Sequence, residues 1–64
     1  MTYRVAITET RSPQAEPVVI LYAGISYEEA FQSAVKARDV RECRKKWIRF
    51  EDGELEIVKY AQVL

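Results

Sequence analysis

Polar and apolar residues alternate from the start of the chain, with Tyr3, Val5 and Ile7 interleaved with Arg4, Ala6 and Thr8. A period of two puts alternate side chains on opposite faces and predicts a half-buried strand ending near Thr10. The stretch "RSPQAEP", Arg11 to Pro17, contains two prolines. Prolines cannot donate to a ladder, so this stretch reads as a loop. "VVILYA", Val18 to Ala23, follows as a second strand. Its unbroken apolar run is the pattern of a strand buried on both faces.

Helical spacing begins after Gly24. Ser26 is an N-cap candidate, and Glu29 three residues later completes a capping box. Tyr27, Ala30, Phe31 and Ala34 then form one stripe, with Val35 and Ala37 at its margins, and this is the expected core face of a helix. Val40 and Cys43 would project from the back of a continued helix, so its end is placed near Arg38.

"KKWIRFEDGELEIVKY", Lys45 to Tyr60, folds back around Asp52-Gly53, a preferred pair for a two-residue type I′ turn. That turn would set Glu51 against Glu54, Phe50 against Leu55, Arg49 against Glu56, Ile48 against Ile57 and Trp47 against Val58. Phe50, Leu55, Ile48 and Ile57 then share an apolar face. Trp47, Val58, Arg49, Glu56, Glu51, Glu54, Lys45 and Tyr60 share the other, so the tryptophan falls among the charges.

The elements read strand, strand, helix, strand, strand in one α+β domain spanning residues 1–64, with one helix on a four-stranded sheet. This order resembles the immunoglobulin-binding domain of protein G, a β-grasp fold. The likeness is carried by the opening "MTYR", by "EEAF" in the first turns of the helix, and by Trp47 early in the third strand before an acidic turn. It implies a mixed sheet with the first and fourth strands parallel at its centre and the second at an edge. Antibody binding is not implied, and the long first loop departs from that family's pattern. An apolar "VVILYA" at an edge invites pairing with another chain. Either the strand order differs and this strand is central, or a second subunit covers it, for which a symmetric homodimer is the default.

Composition narrows the function classes. At 64 residues the chain is near the size where a fold buries only about 60% of its unfolded surface, leaving little room for a deep pocket. Cys43 is the one cysteine, so no intrachain disulfide can form and a reducing, cytoplasmic setting is expected. Histidine is absent, which removes the commonest general base and metal ligand, and no cofactor or metal is expected. The glycines, Gly24 and Gly53, form no phosphate-binding loop. Glu51 and Glu54 at a hairpin tip read as a solubilising turn, and Cys43 lacks a histidine partner. Catalysis is not expected. The opening has no basic region followed by an apolar core, so no leader is expected, and the apolar run Val18–Ile25 is far short of the ~20 residues that span a bilayer.

Charge is neutral overall but divided. Seven basic residues against two acidic ones lie between Lys36 and Arg49, a net of plus five, and the rest carries minus five. Glu28 and Glu29 at the helix start, with Lys36 and Arg38 at its end, complement the helix dipole. The dipole does not account for "RECRKKWIR". Arg41, Arg44, Lys45, Lys46, Trp47, Arg49, Val58 and Tyr60 therefore make up the candidate partner-binding surface. Trp47 and Tyr60 would anchor a protein partner and the cations would steer it. Single-stranded nucleic acid, held by cations and stacked on rings, is the alternative, although the pI of about 6.2 is low for such a role. A third reading makes Trp47 a cross-strand packing residue. In size and style the chain resembles the small accessory and inhibitor proteins that phages and mobile elements encode.

Overall fold

The computed structural model describes residues 2–64; Met1, the first letter of the "MTYR" opening, lies outside the described residues. The order is β1 (Tyr3–Thr8), β2 (Pro17–Gly24), α1 (Tyr27–Ala37), a 3₁₀ turn (Arg41–Cys43), β3 (Trp47–Asp52) and β4 (Ile57–Gln62). Strand β1 ends before Thr10 because the chain turns there. The Thr8 hydroxyl donates to the Thr10 carbonyl at 2.9 Å, and the Ser12 N–H donates to the same oxygen.

The strands form one sheet in the order β2-β1-β3-β4, and every pairing is antiparallel. The mixed sheet expected from the β-grasp resemblance is not formed: β3, not β4, lies beside β1. Reversing the last two strands makes the β1 neighbour antiparallel, so no parallel pair remains. The apolar second strand is not central either. It is an edge, with Val18, Val19 and Ile20 exposed, and its pairing with β1 slips at two places.

Val5, Ile7, Ala30, Ala37, Cys43, Ile48 and Val63 make the core. Ala30 and Ala37 are the helix residues that reach full burial, because their small side chains let α1 settle closely on the sheet. A core of so few large side chains, each contributing about 1.5–3 kcal/mol, leaves stability dependent on polar anchors.

One such anchor starts the helix. Ser26 caps α1 by accepting the Glu29 N–H at 3.2 Å. The return half of the capping box runs through a third residue: the Ser26 N–H donates to the Tyr22 hydroxyl at 3.0 Å, and that hydroxyl donates to the Glu29 carboxylate at 3.2 Å. Gly24 makes room for the tyrosine, since a Cβ there would lie 2.5 Å from its oxygen. The helix ends as expected, with Arg38 as its C-cap.

The β3–β4 hairpin differs from the type I′ expectation. Gly53 has no positive φ. Its N–H donates to the Thr2 carbonyl at 2.9 Å, extending the pairing of β3 with β1, and a Cβ there would meet that oxygen at 2.7 Å. Gly53 is thus required for close approach, and the reversal is made by Gly53 to Glu56. The Asp52 carboxylate accepts the N–H groups of Glu54 and Leu55, a local bond typical of turn aspartates. Glu56 takes the left-handed conformation, φ 53°. Trp47 consequently faces Gln62 instead of Val58, and Arg49 faces Tyr60 instead of Glu56. The slip along β4 is even, so each side chain keeps the face that alternation gave it.

Candidate functional site

Two surfaces come forward: the basic connection with the outer sheet face beside it, and an apolar groove on the helix side. The connection from α1 to β3 is held near its middle and at its β3 end. Cys43 is buried in the core. The Lys45 N–H donates to the Val63 carbonyl at 2.7 Å, and the Val63 N–H donates to the Lys46 carbonyl at 2.9 Å. Around these fixed points the side chains of Arg41, Arg44 and Lys45 are exposed, and among the described residues none of them forms an ion pair. Lys46 is half-buried and pairs with Glu9 at 3.6 Å.

The outer face of the sheet is partly closed by the chain itself. The loop of residues 9–16 folds over it and is fastened by Arg49, which is 5% exposed. Arg49 Nη1 donates to the carbonyls of Ser12, Pro13 and Ala15 at 3.3, 3.1 and 2.9 Å. Its Nε lies 3.4 Å from the Glu51 carboxylate. Farther along the loop, the Arg11 guanidinium sits 5.0 Å from the centre of the Tyr60 ring, within range of a cation–π contact.

The eight residues singled out in the sequence therefore separate into four groups. Arg41, Arg44 and Lys45 project from the connection, Lys46 is engaged by Glu9, and Trp47 and Val58 lie half-buried and exposed on the outer face. Arg49 and Tyr60 lie under the loop as its fasteners. The connection and Trp47 are contiguous in the chain, whereas Arg49 is not available as a steering charge.

The second surface was not anticipated. Helix α1 packs over β2 and β1 and less over β3, with β4 at most at the margin. An apolar groove of about 320 Å³ is left beside it. Tyr27, Phe31 and Val35 form its helix wall and Phe50 part of its floor; Tyr27 and Phe31 each remain 52% exposed. Tyr27 stacks on Phe31 at 6.2 Å and meets Phe50 edge-on at 5.7 Å. The charged residues lining the groove are Arg38 and Lys59, with no carboxylate among them. Lys59 was the available signal: alternation through Ile57 puts a lysine on the face otherwise assigned to the core.

Close to the groove, Tyr3 packs on Tyr27 and Phe50. Desolvation raises its phenol above the ordinary 10.0, and the carboxylates of Asp52 and Glu54 raise it further. Cys43 does not present its thiol at the surface. Among the described residues no cluster of three or more metal-ligating side chains occurs, and no helix is long and apolar enough to cross a membrane. Comparison with protein-family models, with curated proteins and with solved structures found no match.

Proposed function

We propose that the chain is a small, non-enzymatic binding module, of the accessory or inhibitor kind, whose basic α1–β3 connection meets an acidic surface on a macromolecular partner. The observation that carries this reading is the state of Arg41, Arg44 and Lys45, three exposed cations with no ion pair among the described residues. Unpaired surface cations of one sign attract an oppositely charged partner and speed its encounter. Trp47 lies next to them in the chain as the aromatic anchor such contacts favour. The working compartment is taken as cytoplasmic, in keeping with the free thiol of Cys43. A homodimer through the exposed edge of β2 would cover Val18, Val19 and Ile20.

The test is affinity capture with the immobilised chain against a variant carrying Arg41→Glu, Arg44→Glu and Lys45→Glu. These positions are exposed, so the fold is expected to persist. A protein retained by the parent chain and lost by the variant supports the reading, while an unchanged set of captured proteins refutes it. A single-stranded oligonucleotide titrated in parallel distinguishes nucleic acid, which would bind with an affinity falling steeply with salt.

A further inference from the structure

We infer that the free edge of β4, with the groove it shares with α1, receives an extended acidic peptide segment as a fifth strand. The inference rests on the reading of the chain as a binding module but concerns a different surface from the basic connection. Among the described residues strand β4 is hydrogen-bonded to β3 on one side only, so the backbone groups of its other side are open to a partner strand. A strand added there would lie beside the groove that α1 leaves uncovered, with alternate side chains directed at Tyr27, Phe31 and Val35. The dimensions agree. From Tyr27 to Arg38 the helix wall runs roughly 16 Å at about 1.5 Å per residue, the length of about five extended residues.

Charge selects the occupant. Arg38 and Lys59 are the charged residues lining the groove, and among the described residues neither has an ion-pair partner. An inward-facing lysine on an edge strand discourages apolar strands from pairing with it. A carboxylate on the incoming strand removes that obstacle and gains a cross-strand ion pair. A second copy of the chain fits less well, since Lys59 is near the middle of β4 and symmetric pairing there brings two lysines together. Nor does the groove enclose a small molecule, because Tyr27 and Phe31 would stay open to water on one side.

The probe is a blocked nine-residue peptide alternating threonine with isoleucine and glutamate, compared with the same peptide carrying lysine for glutamate. Amide chemical shifts of the whole chain are followed during titration. The acidic peptide is expected to shift Ile57 to Gln62 and to bind about tenfold more tightly than the basic one, from a cross-strand ion pair with Lys59 and a second pair with Arg38 at the end of the helix. The double variant Arg38→Glu, Lys59→Glu is expected to reverse the preference. Shifts confined to β2, equal binding of the two peptides, or no movement of β4 overturns the inference. So does a doubled molar mass, without peptide, that shifts the same β4 amides. Acidic-peptide binding that survives Arg41→Glu, Arg44→Glu and Lys45→Glu credits the groove whatever becomes of the basic connection. Binding lost in that triple variant belongs to the connection and overturns the inference.

Discussion

Replacing Arg49 by methionine removes the guanidinium that fastens the 9–16 loop while keeping much of its apolar stem. The size of the effect follows from the bonds. Nη1 carries two protons and faces three carbonyl oxygens, so no more than two full hydrogen bonds are lost, each about 1.5–3 kcal/mol for a charged donor. The freed carbonyls can rehydrate if the loop lifts, which brings the expected loss to the lower part of the two-bond total, about 3–4 kcal/mol. A chain of 64 residues is expected to have only about 3–10 kcal/mol in total. Thermal and urea unfolding, followed by the fluorescence of Trp47, should show a melting point lower by about 10–30 °C. Amide exchange at Ala15, whose N–H bonds to Ser12, should accelerate. Arg49→Lys should fall between the two, because an ammonium keeps the charge but not the planar fork. A methionine variant within about 0.5 kcal/mol of the parent, the scatter of ordinary surface substitutions, with loop exchange unchanged, would refute the clamp.

Three further outcomes are expected. Tyr22→Phe breaks the relay between the Ser26 N–H and the Glu29 carboxylate, lowering stability by about 0.5–1.5 kcal/mol, and Glu29→Gln added to it should cost less than it does alone; strict additivity in urea unfolding would argue against the relay. Folding favours the protonated phenol of Tyr3, so its contribution is full below the ordinary 10.0 and fades as pH rises through the higher folded value. Stability measured from pH 9 upward should therefore fall less steeply in Tyr3→Phe than in the parent chain, and parallel curves would remove the assignment. Cys43 should react with a thiol reagent only as fast as the chain opens, because it is buried in the core; rapid stoichiometric labelling of the folded protein would contradict that burial.

Much of the fold was legible in local patterns, and what was missed depended on distant contacts. The helix limits followed from Ser26, Glu29 and the loss of periodicity after Ala37, all local features. The faces of Trp47, Arg49 and Tyr60 followed from alternation and survived a wrong turn because the slip was even. The turn departs from the local expectation because Gly53 supplies no positive φ and instead serves a contact with Thr2 at the other end of the chain. Strand order was equally out of reach, since both Thr2 and β1 choose their neighbours across most of the sequence. At the candidate site, the connection's cations were visible as a charge cluster. The burial of Arg49 was not, because its three carbonyl partners lie 34 to 37 residues away. The groove went unseen because Tyr27, Phe31 and Val35 have the spacing of a core stripe, and only their neighbours decide whether such a stripe is covered.

The two sheet faces are finished differently, and Arg49 explains why. A loop drawn only by apolar burial would lie against Tyr27 and Phe31, where uncovered aromatic surface remains. The 9–16 loop lies instead on the charged face, because a buried guanidinium needs acceptors and the carbonyls of Ser12, Pro13 and Ala15 supply them. Satisfying that charge uses the loop on one face and leaves the groove on the other without a cover among the described residues. The two surfaces should then be independent in their energetics. Arg49→Lys, milder than methionine, is expected to loosen the loop while leaving the affinity of β4 for the acidic peptide within about twofold, because Tyr60, the residue the loop and the groove share, keeps its backbone pairing with position 49. A larger loss of peptide affinity at a temperature where the variant is fully folded would show that β3 transmits the state of one face to the other.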